Sequence, residues 1–347
     1  MVDNRARRVS QPQMQATYIL PIRRRQTEDI GELTDYLRLV SPMMDVVVVD
    51  GSPPEVFAHH AAQWADFALH IPPDDISAAL NGKVRGVLTG LRVASHDRIV
   101  IADDDVRYEP QALGRLVDML DDADVIRPQN YFEPQPWHAC WDTARILLNR
   151  MTGGDWPGTL AVRRSILAET GGYDGGVLFE NLELVRTVLA AGGTEAVPLD
   201  LFVRRRPPDA THFWSQRVRQ AYDELARPVR LAAWLSVLPL ILTLVLTGRW
   251  RVLALLLAST VGLAECGRWR GGGRAVFPLS ASLLAPAWIA ERGICSWLAL
   301  GARVAYGGVP YHGTVIARPA TSMEELRRRH GTPHASVLRA QKTARSR

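Results

Sequence analysis

The chain has 347 residues, 47% hydrophobic and 22% charged, ordinary values for a folded protein with room for one large domain and an appendage. Its net charge is +5, almost all of it from arginine, since Lys83 and Lys342 are the only lysines. A basic balance suits nucleic acid or an anionic membrane. Arg227, Arg230, Arg249, Arg251, Arg268, Arg270 and Arg274 all flank apolar segments, which favours a membrane surface. No nucleic-acid motif or aromatic–basic interleaving is present. Cys140, Cys266 and Cys295 lie far apart without CxxC or Cys/His spacing, which argues against a zinc site and fits a reducing compartment.

Residues 1–15 read as a disordered basic leader without the apolar run of a secretory signal, which leaves the first domain on the cytoplasmic side. Ala16–Ile22 reads as a strand and Thr27–Leu39 as a helix. Asp45–Val49 is a continuous β-branched run ending at Asp50-Gly51-Ser52, the pattern of a buried parallel strand. A helix from Pro53 to Gln63, a short strand at Asp66–His70 and a helix at Asn81–Ala94 follow. Asp97–Ala102 is a second buried strand, running into Asp103-Asp104-Asp105. Pro110–Leu120 reads as a helix, Asp124–Gln129 as a strand, Trp137–Met151 as a helix and Gly158–Val162 as a strand. Two further helices end at Gly171-Gly172 and Gly192-Gly193. This alternation predicts an α/β fold with a mostly parallel, Rossmann-like sheet. Ligands of such sheets sit beyond the carboxyl ends of the strands, where Asp50 and Asp103–Asp105 fall.

Leu231–Thr247 is uncharged over 17 residues, and Val252–Cys266 follows a Gly248-Arg249-Trp250-Arg251 turn. Together they read as a transmembrane hairpin, with both chain ends cytoplasmic by the distribution of arginine. Ala275–Ala290 is a third apolar stretch, broken by Pro278 and Pro286, and residues 275–305 are expected to lie at the interface. The expected organisation is a domain over 16–228, a multi-pass membrane anchor over 229–305, and a β-hairpin with a basic tail over 306–347.

Three adjacent acids at the end of a buried strand repel one another, and a hard divalent ion such as Mn²⁺ or Mg²⁺ relieves that repulsion while bridging to diphosphate oxygens. Asp50 points to the same crevice and is suited to a base or ribose hydroxyl. Lys83 opens a helix and can pair with a phosphate oxygen. His138, His212 and His312 stand alone and read as surface or interface residues.

YILPIR (18–23), VVVVDGS (46–52), GKVRGVLTGL (82–91), IVIADDDVRYEP (99–110), GTLAVRRSILAETGGYD (158–174), FENLELV (179–185) and QRVRQ (216–220) occur in this order. In these pieces the chain resembles the family-2-like inverting glycosyltransferases of GT-A fold, including lipid-directed members such as ceramide glucosyltransferase. The resemblance covers about residues 16–230. It implies a nucleotide-sugar donor bound at Asp50, Lys83, Asp103 and Asp104, with metal at Asp105 and Asp103 in a DXD pattern. It also implies an acceptor or diphosphate side at Gln216 and Arg219, and the GTLAVRR and GGYD segments shaping the acceptor side. Two positions depart from the family. Asn181 stands where the proton-accepting Asp is usual, so Glu180 or Glu183, one helical turn apart, would take that role. Gln220 replaces the Trp of QxxRW, with Trp214 nearby as a substitute aromatic platform. The expected activity is transfer of one sugar to a hydroxyl of a lipid or lipid-linked acceptor at the cytoplasmic membrane face. Asn181 keeps a non-catalytic sugar-nucleotide-binding membrane protein as the alternative. A nucleotidyl or phospho-sugar transferase is less suited, because Pro21-Ile22-Arg23-Arg24-Arg25 replaces a Gly-rich phosphate loop.

Overall fold

A computed structural model describes residues 13–75, 81–311 and 314–331. Most of the expected leader, His312 and the basic tail from residue 332 lie outside the described residues. In chain order the elements are β1 (Ala16–Ile22), α1 (Gly31–Val40), β2 (Asp45–Asp50), α2 (Pro54–Trp64), β3 (Leu69–Ile71), α3 (Gly82–Val93), β4 (Arg98–Ala102), β5 (Val106–Arg107) and α4 (Pro110–Asp118). Then come β6 (Val125–Ile126), β7 (Gln129–Phe132), α5 (Trp137–Met151), β8 (Thr159–Arg163), α6 (Arg164–Glu169), α7 (Glu180–Ala190), β9 (Glu195–Ala196) and β10 (Phe202–Arg205). The C-terminal part holds α8 (Ala210–Ser215), α9 (Arg217–Tyr222), α10 (Pro228–Leu246), α11 (Trp250–Trp269), α12 (Leu279–Leu283), α13 (Ala285–Tyr306), β11 (Val309–Tyr311), β12 (Thr314–Ile316) and α14 (Met323–His330).

Seven strands form one sheet in the order β3-β2-β1-β4-β8-β6-β9. β3, β2, β1 and β4 are parallel, with Ile22 opposite Asp50, while β8 runs antiparallel to β4 and β6. Helices cover both faces, which is why β1, β2 and β4 carry consecutive apolar residues rather than an alternation. Tyr18, Leu20, Val48 and Val100 pack with Leu33 and Leu37 of α1 and Leu113 of α4 on one face. Ile19, Ile99 and Ile101 pack with Val84 and Val87 of α3 and Val188 of α7 on the other.

The strand expected over 124–129 divides. β6 joins the main sheet, and β7 turns into a second sheet, β5-β10-β7, whose central strand β10 was not foreseen. This small sheet places Arg205 beside Asp105.

α10 and the helical stretch Trp250–Ala275 are long and apolar enough to cross a membrane, and little of either is buried by protein. Leu246 is 76% and Leu255 67% exposed. Pro239 lacks the N–H that would close a helical bond to Leu235 O. The indole Nε1 of Trp297 on α13 donates to that carbonyl at 3.1 Å, so the proline costs no unpaired backbone acceptor in an apolar setting. The third apolar stretch differs from expectation: α13 does not stop at Glu291-Arg292 but continues to Tyr306. Arg217 of α9 pairs with Glu291 at 2.6 Å and neutralises it in mid-helix. α11 meets α5 at Gly267, where an added Cβ would lie 2.0 Å from Leu147 O, so only glycine fits this approach. β11 and β12 form the expected antiparallel hairpin.

Candidate active site

β4 is apolar and buried from Ile99 to Ala102, and the three acids leave the sheet at its carboxyl end. Each finds its own cation. Lys83 Nζ lies 2.6 Å from Asp103 Oδ1, Arg24 Nη2 lies 2.5 Å from Asp104 Oδ2, and Arg205 Nε donates to Asp105 Oδ2 at 2.8 Å. Lys83 also reaches Glu180 Oε1 at 2.8 Å. Asn81 caps α3 by accepting the Lys83 N–H, which holds the lysine at the first turn facing the acids. Burial alone would lower the Lys83 pKa, but Asp103 and then Glu180 outweigh it and hold the ammonium charged. A Cβ on Gly158 would lie 2.5 Å from Asp103 Oδ2, so the glycine of GTLAVRR clears the space this carboxylate occupies.

One oxygen in this group is left over. Asp105 Oδ1 is buried and accepts no hydrogen bond, and burial raises the pKa of this carboxyl despite Arg205. Asp103 Oδ2 has only Arg205 in range, at 3.7 Å. An orphaned carboxylate oxygen beside a second half-free one is a donor set that fits a hard divalent cation.

Asp50 is placed differently from a solvent-facing base contact. Its Oδ2 lies 2.6 Å from His60 Nδ1 and 3.1 Å from His70 Nε2, and its Oδ1 accepts the Ser52 N–H at 2.9 Å. Burial would raise its pKa, but the hydrogen bonds from His60, His70 and Ser52 win and hold it well below the usual carboxylate range. One ligand atom from each of Asp50, His60 and His70 lies within 4.8 Å of the others. The histidines come 10 and 20 residues after Asp50, on α2 and β3, and no local spacing in the sequence announces them.

Glu180 and Glu183 diverge. Glu180 joins Lys83 at the strand ends. Glu183 is fully buried, and its Oε2 accepts the Thr321 N–H at 2.6 Å from the segment before α14. Asn181 is buried and donates from Nδ2 to Pro157 O at 3.2 Å.

Asp105 also lines a cavity of about 260 Å³. Its walls combine Asp105 and Arg205 with Gln216, Arg219 and Asp223 near α9, Arg227 and Arg230 at the start of α10, and Trp288 and Arg292 of α13. Gln216 and Arg219 therefore share a chamber with Asp105. Trp214 does not line it; its ring packs edge-on to Phe213 and Trp141. His212 lines the chamber, and His138 holds Pro208 O at 2.8 Å through Nε2.

Asp223, absent from the sequence reading, sits in a 3₁₀ turn (Asp223–Ala226) between α9 and α10. Its Oδ1 is buried without a partner, and burial, against the pull of Arg219, lifts its pKa to about 7. Poised near neutrality and opening onto the chamber, it is suited to accept a proton.

The seven-stranded, mostly parallel sheet with helices on both faces is a GT-A-like α/β fold. Residues 21–168 match the family described as Glycosyl transferase family 2. No curated protein matches the chain significantly. Among solved structures, the mannosyltransferase PcManGT from Pyrobaculum calidifontis in complex with GDP-Man and Mn²⁺ superposes with a TM-score of 0.50 at 18% identity, over 82% of this chain and 87% of that one. That share exceeds the part of this chain before α10, so the likeness of fold extends into the C-terminal helices. Glucosyl-3-phosphoglycerate synthase from Mycobacterium tuberculosis with Mn²⁺, UDP-Glc and PGA also matches, with a TM-score of 0.40, 16% identity, and 57% and 73% of the two chains covered. TarS 1–349 from S. aureus with UDP-GlcNAc matches with a TM-score of 0.41, 14% identity, and 58% and 61% covered.

Proposed function

We propose that the chain is a membrane-bound glycosyltransferase that moves one sugar from a nucleoside diphosphate sugar to a hydroxyl of a lipid or lipid-linked acceptor at the cytoplasmic face. One observation carries this reading: one chamber is lined both by Asp105 and by residues of the first turn of α10 and of α13. An acceptor anchored among the apolar helices then meets the donor without leaving the membrane surface.

Asp103 and Asp105 would hold Mn²⁺ or Mg²⁺, which supplies charge neutralisation to the departing diphosphate. Lys83, kept charged by Asp103 and Glu180, faces the same diphosphate from the start of α3. The acceptor oxygen attacks the anomeric carbon from the chamber side. The new carbon–oxygen bond forms as the bond to the diphosphate breaks, and configuration inverts. The hydroxyl proton passes to the Asp223 carboxylate. Asp223 thus replaces the carboxylate that Asn181 cannot provide, and Glu180 acts by positioning Lys83. Asp50, locked by two histidines, shapes the floor of the nucleotide side.

The test is nucleoside diphosphate release by membranes carrying the full chain, with a panel of sugar nucleotides, Mn²⁺ or Mg²⁺, and lipid extract. Release that requires lipid and is abolished in Asp105→Ala supports the reading. Nucleotide binding without release from any donor would instead support the non-catalytic alternative, which Asn181, with its amide spent on Pro157 O, favours.

A further inference from the structure

The chamber wall carries more cation than its carboxyls neutralise. Six arginines, Arg145, Arg205, Arg219, Arg227, Arg230 and Arg292, face four acids, Asp105, Asp142, Asp223 and Glu224. Several are fully engaged. Arg145 pairs with Asp142 and Asp155, and Arg205 with Asp105. Arg227 and Arg230 share the single carboxylate of Glu224, at 3.1 and 3.3 Å, and Arg227 Nε has no partner.

Arg292 is the exception that matters. It is 3% exposed, it lines the chamber, and its Nε and Nη1 are buried without any hydrogen-bond acceptor. A buried N–H left unpaired is costly, and more so on a charged group. A guanidinium held this way offers a ready fork to a planar or tetrahedral anion.

Its position says which anion. The donor diphosphate belongs with Lys83, Asp103 and Asp105; Asp105 shares the chamber wall, while Lys83 and Asp103 lie outside it and draw the diphosphate to that side. Arg227 and Arg230 stand at the first turn of α10, where the uncharged run from Leu231 begins. Arg292 projects from α13, which packs beside α10 through the bond from Trp297 to Leu235 O. An anion seated among these three groups lies beside the first turn of α10, where its uncharged run begins, the place a lipid headgroup would take.

We propose that this end of the chamber is a phosphate subsite, and that the acceptor carries a phosphate or diphosphate group next to its lipid chain, gripped by Arg292 with Arg227 and Arg230. This rests on the transferase reading above and names its acceptor class. The phosphate anchors the acceptor, and the hydroxyl beyond it is presented to Asp223 and Asp105.

The test uses the full chain in maltoside micelles and follows quenching of tryptophan fluorescence, since Trp156 and Trp288 line the chamber. The probes are farnesyl phosphate, farnesol and inorganic phosphate. Farnesyl phosphate is expected to bind at least tenfold more tightly than either of the others. Arg292→Gln is expected to weaken it at least tenfold and leave farnesol unchanged, with partial recovery in Arg292→Lys. Arg227→Gln is expected to weaken it severalfold and serves if Arg292→Gln does not fold. Equal binding of farnesol and farnesyl phosphate would overturn the subsite. Inorganic phosphate binding as tightly as farnesyl phosphate would overturn its assignment to a lipid. GDP and UDP binding and diphosphate release are measured on the same preparation. Release with a neutral lipid alcohol, without farnesyl phosphate binding, sinks this inference and leaves the transferase. Farnesyl phosphate binding without nucleotide binding sinks the transferase and leaves the subsite.

Discussion

Replacing Asp223 by Asn separates the chemical role of this carboxyl from its structural cost, because the two effects run in opposite directions. Burial lifts its pKa from the ordinary 3.8 to about 7. At about 1.4 kcal/mol per unit, ionising it in the folded chain costs up to about 4 kcal/mol more than in the unfolded chain. The sign follows from proton binding. Between about pH 4 and pH 7 the folded chain holds this proton more tightly, so stability falls as pH rises through that window. Below it both states are protonated and nothing is lost; above it the full cost applies. Asp223→Asn removes the cost, so its Tm should exceed that of the wild type at pH 8 and converge with it near pH 4. Its activity should move the other way. Loss of a proton acceptor typically costs about 10²–10⁴-fold in rate, expected here in kcat with little change in KM for the donor. The wild type should gain activity as pH rises through about 7, and the variant should lose that rise. Diphosphate release and Tm are measured across pH 5–9 in one buffer series, with Glu180→Gln beside it. Activity within threefold of wild type would remove Asp223 from the chemistry, and a lower Tm at pH 8 would refute its electrostatic account.

Two further outcomes follow from the geometry. Gly267→Ala forces a methyl to within 2.0 Å of Leu147 O, and because the obstacle is backbone the helices must separate; a loss of about 1–3 kcal/mol is expected, read as a lowered Tm, and an unchanged Tm would refute the close approach of α11 and α5. Chelation by EDTA should abolish diphosphate release and added Mn²⁺ or Mg²⁺ should restore it, with Tm falling only by the linkage of the lost ion, because Lys83, Arg24 and Arg205 still neutralise the three acids; release that survives chelation would refute a metal at Asp103 and Asp105.

The elements the sequence announced are those whose pattern is set locally. β1 and β2 carry consecutive apolar residues because helices cover both faces, and α5 has the bounds its helical spacing predicts. The misses depend on distant partners. β10 carries arginines at 204 and 205, and only Val203 within it is buried; it becomes a strand because β5 and β7 offer it hydrogen bonds. The pairing of Arg205 with Asp105 joins residues 100 apart. Glu183 shares a helical turn with Glu180, but spacing cannot show that the chain returns at Thr321 to bury it. Asp223 looks like an ordinary acid in QRVRQAYDELARP, and its raised pKa comes from burial among groups of α7, α9, α10 and α13.

The C-terminal helices do more than tether the sheet domain. Arg217 of α9 is 2% exposed and joins Asp142 of α5 at 2.8 Å to Glu291 of α13 at 2.6 Å. Buried ion pairs of this kind add little net stability, because desolvation offsets the attraction, but a broken one leaves a bare buried charge. Their effect is therefore geometric: α13 can shift against α5 only by exposing that cost. Arg292 follows Glu291 directly, so the same pairs that fix Glu291 fix the guanidinium that faces the chamber. Asp142 also bonds Arg145, which reaches Asp155 at 2.5 Å in the loop before β8, and β8 hydrogen-bonds along β4, the strand that delivers the three acids. A chain of buried ion pairs thus runs from α13 through α9 and α5 to Asp155, in the loop that leads into β8 beside β4. It fixes α13, and with it Arg292 of the chamber wall, relative to the sheet that presents Asp103–Asp105.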